Sequence, residues 1–145
     1  MAISVRDVLA RKGSGLWSVG PDSTVLEALQ TLAVRNIGAV LVLEGTHLVG
    51  ILSERDYARQ VILKGKTSKE TPVREIMTRE VVSVRPEQTI DDCMAIMTDK
   101  RFRHLPVVVG VDVIGVLSIG DIVKALLEEQ RYRIEQLEGY IKSGG

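Results

Sequence analysis

Gly50-Ile-Leu-Ser-Glu-Arg-Asp56 and Gly115-Val-Leu-Ser-Ile-Gly-Asp121 stand 65 residues apart, and each runs from an apolar, strand-like stretch into Ser-x-x-Asp. Working outward at the same offset, residues 18–59 align without a gap on 83–124. Identities fall at Ser18/Ser83, Val19/Val84, Pro21/Pro86, Thr24/Thr89, Val42/Val107, Gly45/Gly110, Leu52/Leu117 and Asp56/Asp121, and most other exchanges keep apolar character. Self-similarity at a fixed period marks a duplicated structural unit.

Each copy reads as strand, helix, strand, strand, helix. A short extended piece, 17–19 or 82–84, stops before a proline two residues on. A helix follows: Thr24 with Glu27 and Thr89 with Asp92 have capping-box spacing, and apolar residues recur at helical intervals (Val25, Ala28, Leu29, Leu32; Ile90, Cys93, Met94, Met97). Two β-rich runs come next, 39–43 with 48–52 and 105–109 with 113–117, each pair split by a loop holding Gly45 or Gly110. A second helix starts at Ser53 and at Ser118. Short helices lead the copies at 5–9 and 73–77, the latter with Thr71 as N-cap and Pro72 at its first position. The expected organisation is a first repeat over 1–63, a polar linker over 64–70 (KGKTSKE), a second repeat over 71–127 and a helical extension over 128–145. The fold class is α+β. A sheet of two or three strands covered on one side leaves its other face bare, so the two repeats are expected to pack sheet to sheet with pseudo-twofold symmetry.

Composition narrows the function. Nineteen basic and nineteen acidic residues leave no net field to hold nucleic acid or an anionic membrane, so any anion site must be local. Cys93 is the only cysteine, which excludes a disulfide framework and a multi-cysteine zinc site and fits a cytoplasmic setting. No apolar run approaches the ~18 residues of a membrane span, and Arg6 and Asp7 interrupt the place of a signal peptide's apolar stretch.

The two Ser-x-x-Asp stretches are the candidate sites. A serine hydroxyl and free amides at a helix start face an anion, and a carboxylate one turn on can accept from two ribose hydroxyls. The same spacing is also a capping box, the commoner role for the motif taken alone. Its recurrence at one position in both copies favours a ligand.

With the doubled copy, Ser18-Val-Gly-Pro21, Ser83-Val-Arg-Pro86, Arg103-His-Leu-Pro-Val107 and the two glycine-to-aspartate stretches, the chain resembles the CBS-domain pair, or Bateman module, of the stand-alone two-domain type, over nearly its whole length. The resemblance implies binding of AMP, ADP or ATP, or of NAD(H) or S-adenosylmethionine, in clefts between the copies, with no cofactor required. It assigns the ribose to Asp56 and Asp121, places Ser53 and Ser118 near phosphate or ribose, puts Ser18 and Ser83 beside the adenine edge, and lays the basic positions before the Leu-Pro-Val strand on Arg103 and His104. Their counterparts Gly38 and Ala39 cannot neutralise phosphate. The cleft of Ser83, Arg103, His104, Ser118 and Asp121 is therefore expected to be the tighter one for a charged nucleotide. That of Ser18, Gly38, Ala39, Ser53 and Asp56 is expected to stand empty or admit another adenosine group, with Arg55 as a substitute charge or as a solvated arginine.

Catalytic readings fail for want of partners. His104 has only His47 for company, at an expected hairpin loop, and no nucleophile is placed with either. Lys64-Gly-Lys-Thr67 lacks the glycine a phosphate-binding loop needs, Gln60 standing there instead. Trp17 aligns with Val82, so a strand residue is preferred to an adenine stack. Beyond Asp121, Ile122, Leu126, Ile134, Leu137 and Ile141 lie near one helical stripe, which suits a homodimer contact. The leading expectation is a non-catalytic adenine-nucleotide sensor acting on an unidentified effector protein, without nucleic-acid or membrane partners. The alternatives are a ligand-free dimerisation or interaction module and a small nucleotide-acting enzyme.

Overall fold

The computed structural model describes residues 3–13 and 16–144, with side chains described as far as Tyr140. The chain divides into two compact units that do not follow its linear order. One gathers the chain up to Ser14, Val84–Val108 and Gly115 onward; the other holds Gly15–Ser83 and Val109–Ile114.

In the second of these, β1 (Ser18–Val19) lies parallel to β2 (Ala39–Glu44), which pairs antiparallel with β3 (His47–Ser53). Helix α2 (Val25–Arg35) starts at Thr24, whose hydroxyl accepts from the Glu27 amide, and it buries Val25, Ala28 and Leu32. Only this half of the expected capping box forms. Val40, Val42, Leu52, Val61, Val73 and Ile76 complete the core around that face. After β3 comes α3 (Glu54–Tyr57), a single α-helical turn that widens into a π-helix over Ala58–Ile62. The 64–70 linker is mostly exposed, yet the Ser68 carbonyl accepts from the Leu26 amide.

The other unit repeats this plan with α1 (Val5–Lys12), α4 (Ile90–Lys100), a sheet of β4 (His104–Val109) and β5 (Asp112–Ser118), and α5 (Ile119–Gly144). Its core holds Val5, Val8, Ile90, Cys93, Leu105, Leu117 and Ile122. Burial pushes the Cys93 thiol up to about 11, so this cysteine is a packing residue. The strand expected at 82–84 shrinks here to one bridge, Val84 with Val107. The cause is Pro106. In the first copy Leu41 donates to the Trp17 carbonyl at 3.2 Å, and its counterpart Pro106 has no N–H to give.

The leading segments hold the main surprise. The one that opens the chain packs on the second copy: Val5 N–H donates to Gln88 O, Arg6 N–H to Pro86 O, and Ile90 N–H to Ile3 O. The one following the linker packs on the first copy through Val73 N–H to Ser23 O, Arg74 N–H to Pro21 O, and Val25 N–H to Thr71 O. These bonds match one for one at an offset of 68, and so do the ion pairs Arg6–Glu87 and Arg74–Asp22.

The two segments differ in form. Ser4 and Asp7 form a full capping box, and Leu-Ala-Arg-Lys carries α1 to Gly13, whose φ of 86° ends it. The 73–77 helix expected from Thr71 and Pro72 is instead a 3-10 turn over Val73–Glu75. Pro72 is extended before it, and Thr71 is buried with its hydroxyl donating to Thr67 O. The reason is that Pro72 is tied into a bridge with Thr24, and Ile76 and Thr78 are β-branched.

Candidate functional site

The two Ser-x-x-Asp stretches sit where a buried strand turns into a helix, and in both the reciprocal box is complete. Ser53 N–H donates to Asp56 Oδ2 at 2.9 Å and Asp56 N–H to Ser53 Oγ at 3.2 Å; Ser118 N–H donates to Asp121 Oδ2 at 2.8 Å and Asp121 N–H to Ser118 Oγ at 3.2 Å. The capping reading is thus correct as far as it goes. Both pairs, however, are half-buried, whereas the boxes at Ser4–Asp7 and Thr89–Asp92 are exposed. Each corner carboxylate also takes a donor from a leading segment, which a cap does not require.

At Asp56 that donor is a hydroxyl, Thr78 Oγ1 at 3.3 Å from Oδ1, held there by the backbone bridge between Thr78 and Ile51. At Asp121 it is an ammonium. Lys12 Nζ lies 2.8 Å from Asp121 Oδ2 and 2.6 Å from the carbonyl of Val116, the counterpart of Ile51. Burial pushes the Asp121 carboxyl up, but the Lys12 bond and the Ser118 amide outweigh it and hold it below its ordinary 3.8.

The remaining predicted residues arrange themselves around these corners. In the first copy Ala39 pairs with Ser53, the Gly38 carbonyl accepts from Glu54 N–H at 3.1 Å, and Ser18, exposed, pairs with Leu41. Arg55 is half-buried beside Asp56 in sequence. In the second copy the Arg103 carbonyl accepts from Ile119 N–H at 2.9 Å, which ties the start of β4 to the start of α5. Arg103 is exposed and His104 half-buried, on the strand start nearest Ser118 and Asp121 by this bond. Ser83 is exposed, one residue before the Val84 bridge.

Two side readings also resolve. Trp17, expected as a partly buried strand residue, is exposed and lies one residue before β1, with the Arg35 guanidinium 3.8 Å from its ring centre, so one face of the ring is already covered. His47 opens β3 opposite Glu44 instead of lying in the loop. A groove of about 550 Å³, lined by Pro21, Glu44, Val49, Arg74, Met77 and Arg79 among others, includes none of the predicted site residues.

Lys12 and Thr78 were missed by sequence reasoning. The signal was present: Val5-Arg-Asp and Val73-Arg-Glu repeat at an offset of 68, hidden because five residues separate Lys12 from Ser18 and two separate Glu80 from Ser83. Among the described residues, no helix is long and apolar enough to cross a membrane and no cluster of side chains suits a metal ion.

The chain matches the CBS domain twice, at residues 5–62 and 73–128. It is 40% identical over 151 aligned positions to the mitochondrial CBS domain-containing protein CBSX3 of Arabidopsis thaliana, covering 97% of this chain and 73% of that protein. The crystal structure of the CBS domain protein NE2398 superposes with a TM-score of 0.84 at 47% identity, over 88% of this chain and 99% of that one. The CBS pair of MJ0100, crystallised with 5′-methylthioadenosine and S-adenosyl-L-methionine, shares the fold with a TM-score of 0.80 at 23% identity, covering 89% of this chain and 99% of that one. With two matched segments that take in most of its length, and the same tandem α+β architecture, the chain belongs to the CBS-domain family.

Proposed function

We propose that this chain is a non-catalytic, cytoplasmic regulatory module that binds an adenine nucleotide at its Ser-x-x-Asp corners and passes the bound state to a partner protein. The supporting observation is the pair of half-buried carboxylates, Asp56 and Asp121, each presented at the same strand-to-helix corner with its serine already engaged by the backbone. A carboxylate so placed keeps acceptor capacity for a ribose hydroxyl, at Asp121 on Oδ1 and at Asp56 beside the Thr78 bond, and the ribose is the part of a ligand that AMP, ADP, ATP, NAD(H) and S-adenosylmethionine all share. The ligands crystallised with the MJ0100 pair carry that same adenosine group. Ser18, Gly38, Ala39, Ser53 and Arg55 complete the first copy's site; Ser83, Arg103, His104 and Ser118 complete the second's. Regulation follows if the ligand binds one conformation better than another, with a coupling of typically ~1–3 kcal/mol.

A thermal-shift panel of AMP, ADP, ATP, NAD, NADH and S-adenosylmethionine tests the reading. A ligand at a hundred times its dissociation constant adds ~2.7 kcal/mol and raises the melting midpoint by several degrees. No shift with any member refutes the reading and leaves a ligand-free interaction module. The expected stripe on α5 is only partly open: Ile122 is buried in the core of its own unit and Leu126 packs against that core, so neither can meet another chain, and Ile141 lies outside the described side chains. The exposed apolar side chains Val123, Leu127, Ile134 and Leu137 are the surface we assign to a second copy of the chain.

A further inference from the structure

We propose that Lys12 sets the ligand charge preference of the second copy, making the Asp121 corner selective for phosphorylated adenosine ligands over uncharged ones; this rests on the reading that the corner binds adenosine. The geometry carries it. Lys12 Nζ uses one N–H on Asp121 Oδ2 at 2.8 Å and one on Val116 O at 2.6 Å, and an ammonium has three. Among the described residues nothing takes the third, and we assign it to a ligand oxygen. Its position is not left to solvent, because α1 is fixed on this unit by the backbone bonds of Val5 and Arg6 and by the Arg11–Glu128 ion pair at 3.0 Å.

The consequence is electrostatic. A ribose bonded to Asp121 brings its 5′-phosphate within several ångströms of the carboxylate, and an uncompensated aspartate would repel it. With Lys12 in place its ammonium offsets the Asp121 charge, so the carboxylate's repulsion of a phosphate is removed and Arg103 is left to attract it. In the first copy the equivalent donor is the uncharged Thr78 hydroxyl, which leaves that compensation to other groups. The two corners therefore present different local charge to ligands that share one ribose.

Isothermal calorimetry on the full chain, with Asp56→Ala throughout so that only the second copy's carboxylate remains, compares AMP with adenosine. Lys12→Met, which keeps the apolar stem, is expected to weaken AMP about tenfold while changing adenosine by less than about twofold. Lys12→Arg is expected to keep the preference for AMP. Equal losses for both ligands with Lys12→Met would show a structural role and overturn the inference, as would no change for either. Binding of adenosine but never of AMP by the Lys12 chain would overturn it as well, while leaving the adenosine reading intact. Binding of neither ligand by that chain, or by the chain with Asp56 restored, defeats both.

Discussion

In the first copy the corner is closed by backbone: Thr78 bridges Ile51, and its hydroxyl reaches Asp56. In the second, a helix of eight residues in place of a three-residue 3-10 turn lets one long side chain, Lys12, span the equivalent gap to Val116 and Asp121. The same corner is thus completed by a neutral strand-like segment in one unit and by a charged helical one in the other. Duplication preserved the parts that bury apolar surface, and the copies parted where a leading segment meets a carboxylate.

The largest expected effect comes from the close approach of those segments to the strands. Gly50 and Gly115 are equivalent, and a Cβ on either would clash, but against different things. At Gly50 it would lie 2.6 Å from Met77 Sδ and 3.0 Å from the Thr78 carbonyl; at Gly115 it would lie 2.7 Å from Leu9 Cδ2, the far end of one side chain. Overpacking costs ~1–3 kcal/mol. Gly50→Ala is expected at the upper end of that range, since the bridged backbone at Thr78 cannot retreat, and Gly115→Ala near the lower end, since Leu9 can change rotamer. Urea unfolding of both variants checks this; equal losses would mean that the Thr78 bridge yields as easily as a leucine.

A smaller effect separates the corners by pH. Asp121 is held below its ordinary 3.8 in the folded chain, burial being outweighed by Lys12 and Ser118. The folded state therefore binds that proton less readily than the unfolded one, so the stabilisation is fully present above about pH 5 and fades as pH falls through the folded value. The pair is partly exposed, with Lys12 at 38%, which limits the contribution to at most ~1 kcal/mol. Lys12→Met should lower stability near neutral pH, and the gap to the parent should close below about pH 4. A gap that stays constant on acidification would assign the loss to packing of the lysine stem.

Much of this comparison was legible in the sequence. The offset of 65 gave both α+β copies, the hairpin glycines Gly45 and Gly110 with φ near 65° and 61°, and the two corners. Periodicity could place α1 on a helix, but not decide which copy it packs against, because that is a long-range choice made by backbone bonds at Pro86 and Gln88. Arg103-His-Leu-Pro-Val107 contained the reason the second copy's first strand is reduced to one bridge, since Pro106 stands where a donor is needed. Lys12 was invisible for a different cause: its partner lies 109 positions away, and its counterpart at the shifted offset is Glu80, which gives no hint of a shared role.

The smallest effect concerns how the two equivalent helices stop. Both α2 and α4 end on a left-handed residue, Asn36 at φ 53°, ψ 50° and Arg101 at φ 58°, ψ 30°. Asparagine tolerates that region, whereas a left-handed conformation costs an ordinary L-residue such as arginine roughly 1–2 kcal/mol. Glycine removes the penalty but adds freedom to the unfolded chain, so part of the gain is lost. Arg101 is exposed, and little packing is forfeited with its side chain. Arg101→Gly is therefore expected to stabilise by ~0.5–1 kcal/mol, about 1–4 °C in the melting midpoint, while Asn36→Gly changes stability by less than ~0.5 kcal/mol. Scanning calorimetry on the two variants decides it. A loss at Arg101, or an equal gain at both positions, would mean that the arginine side chain contributes at the end of α4 what the backbone conformation costs.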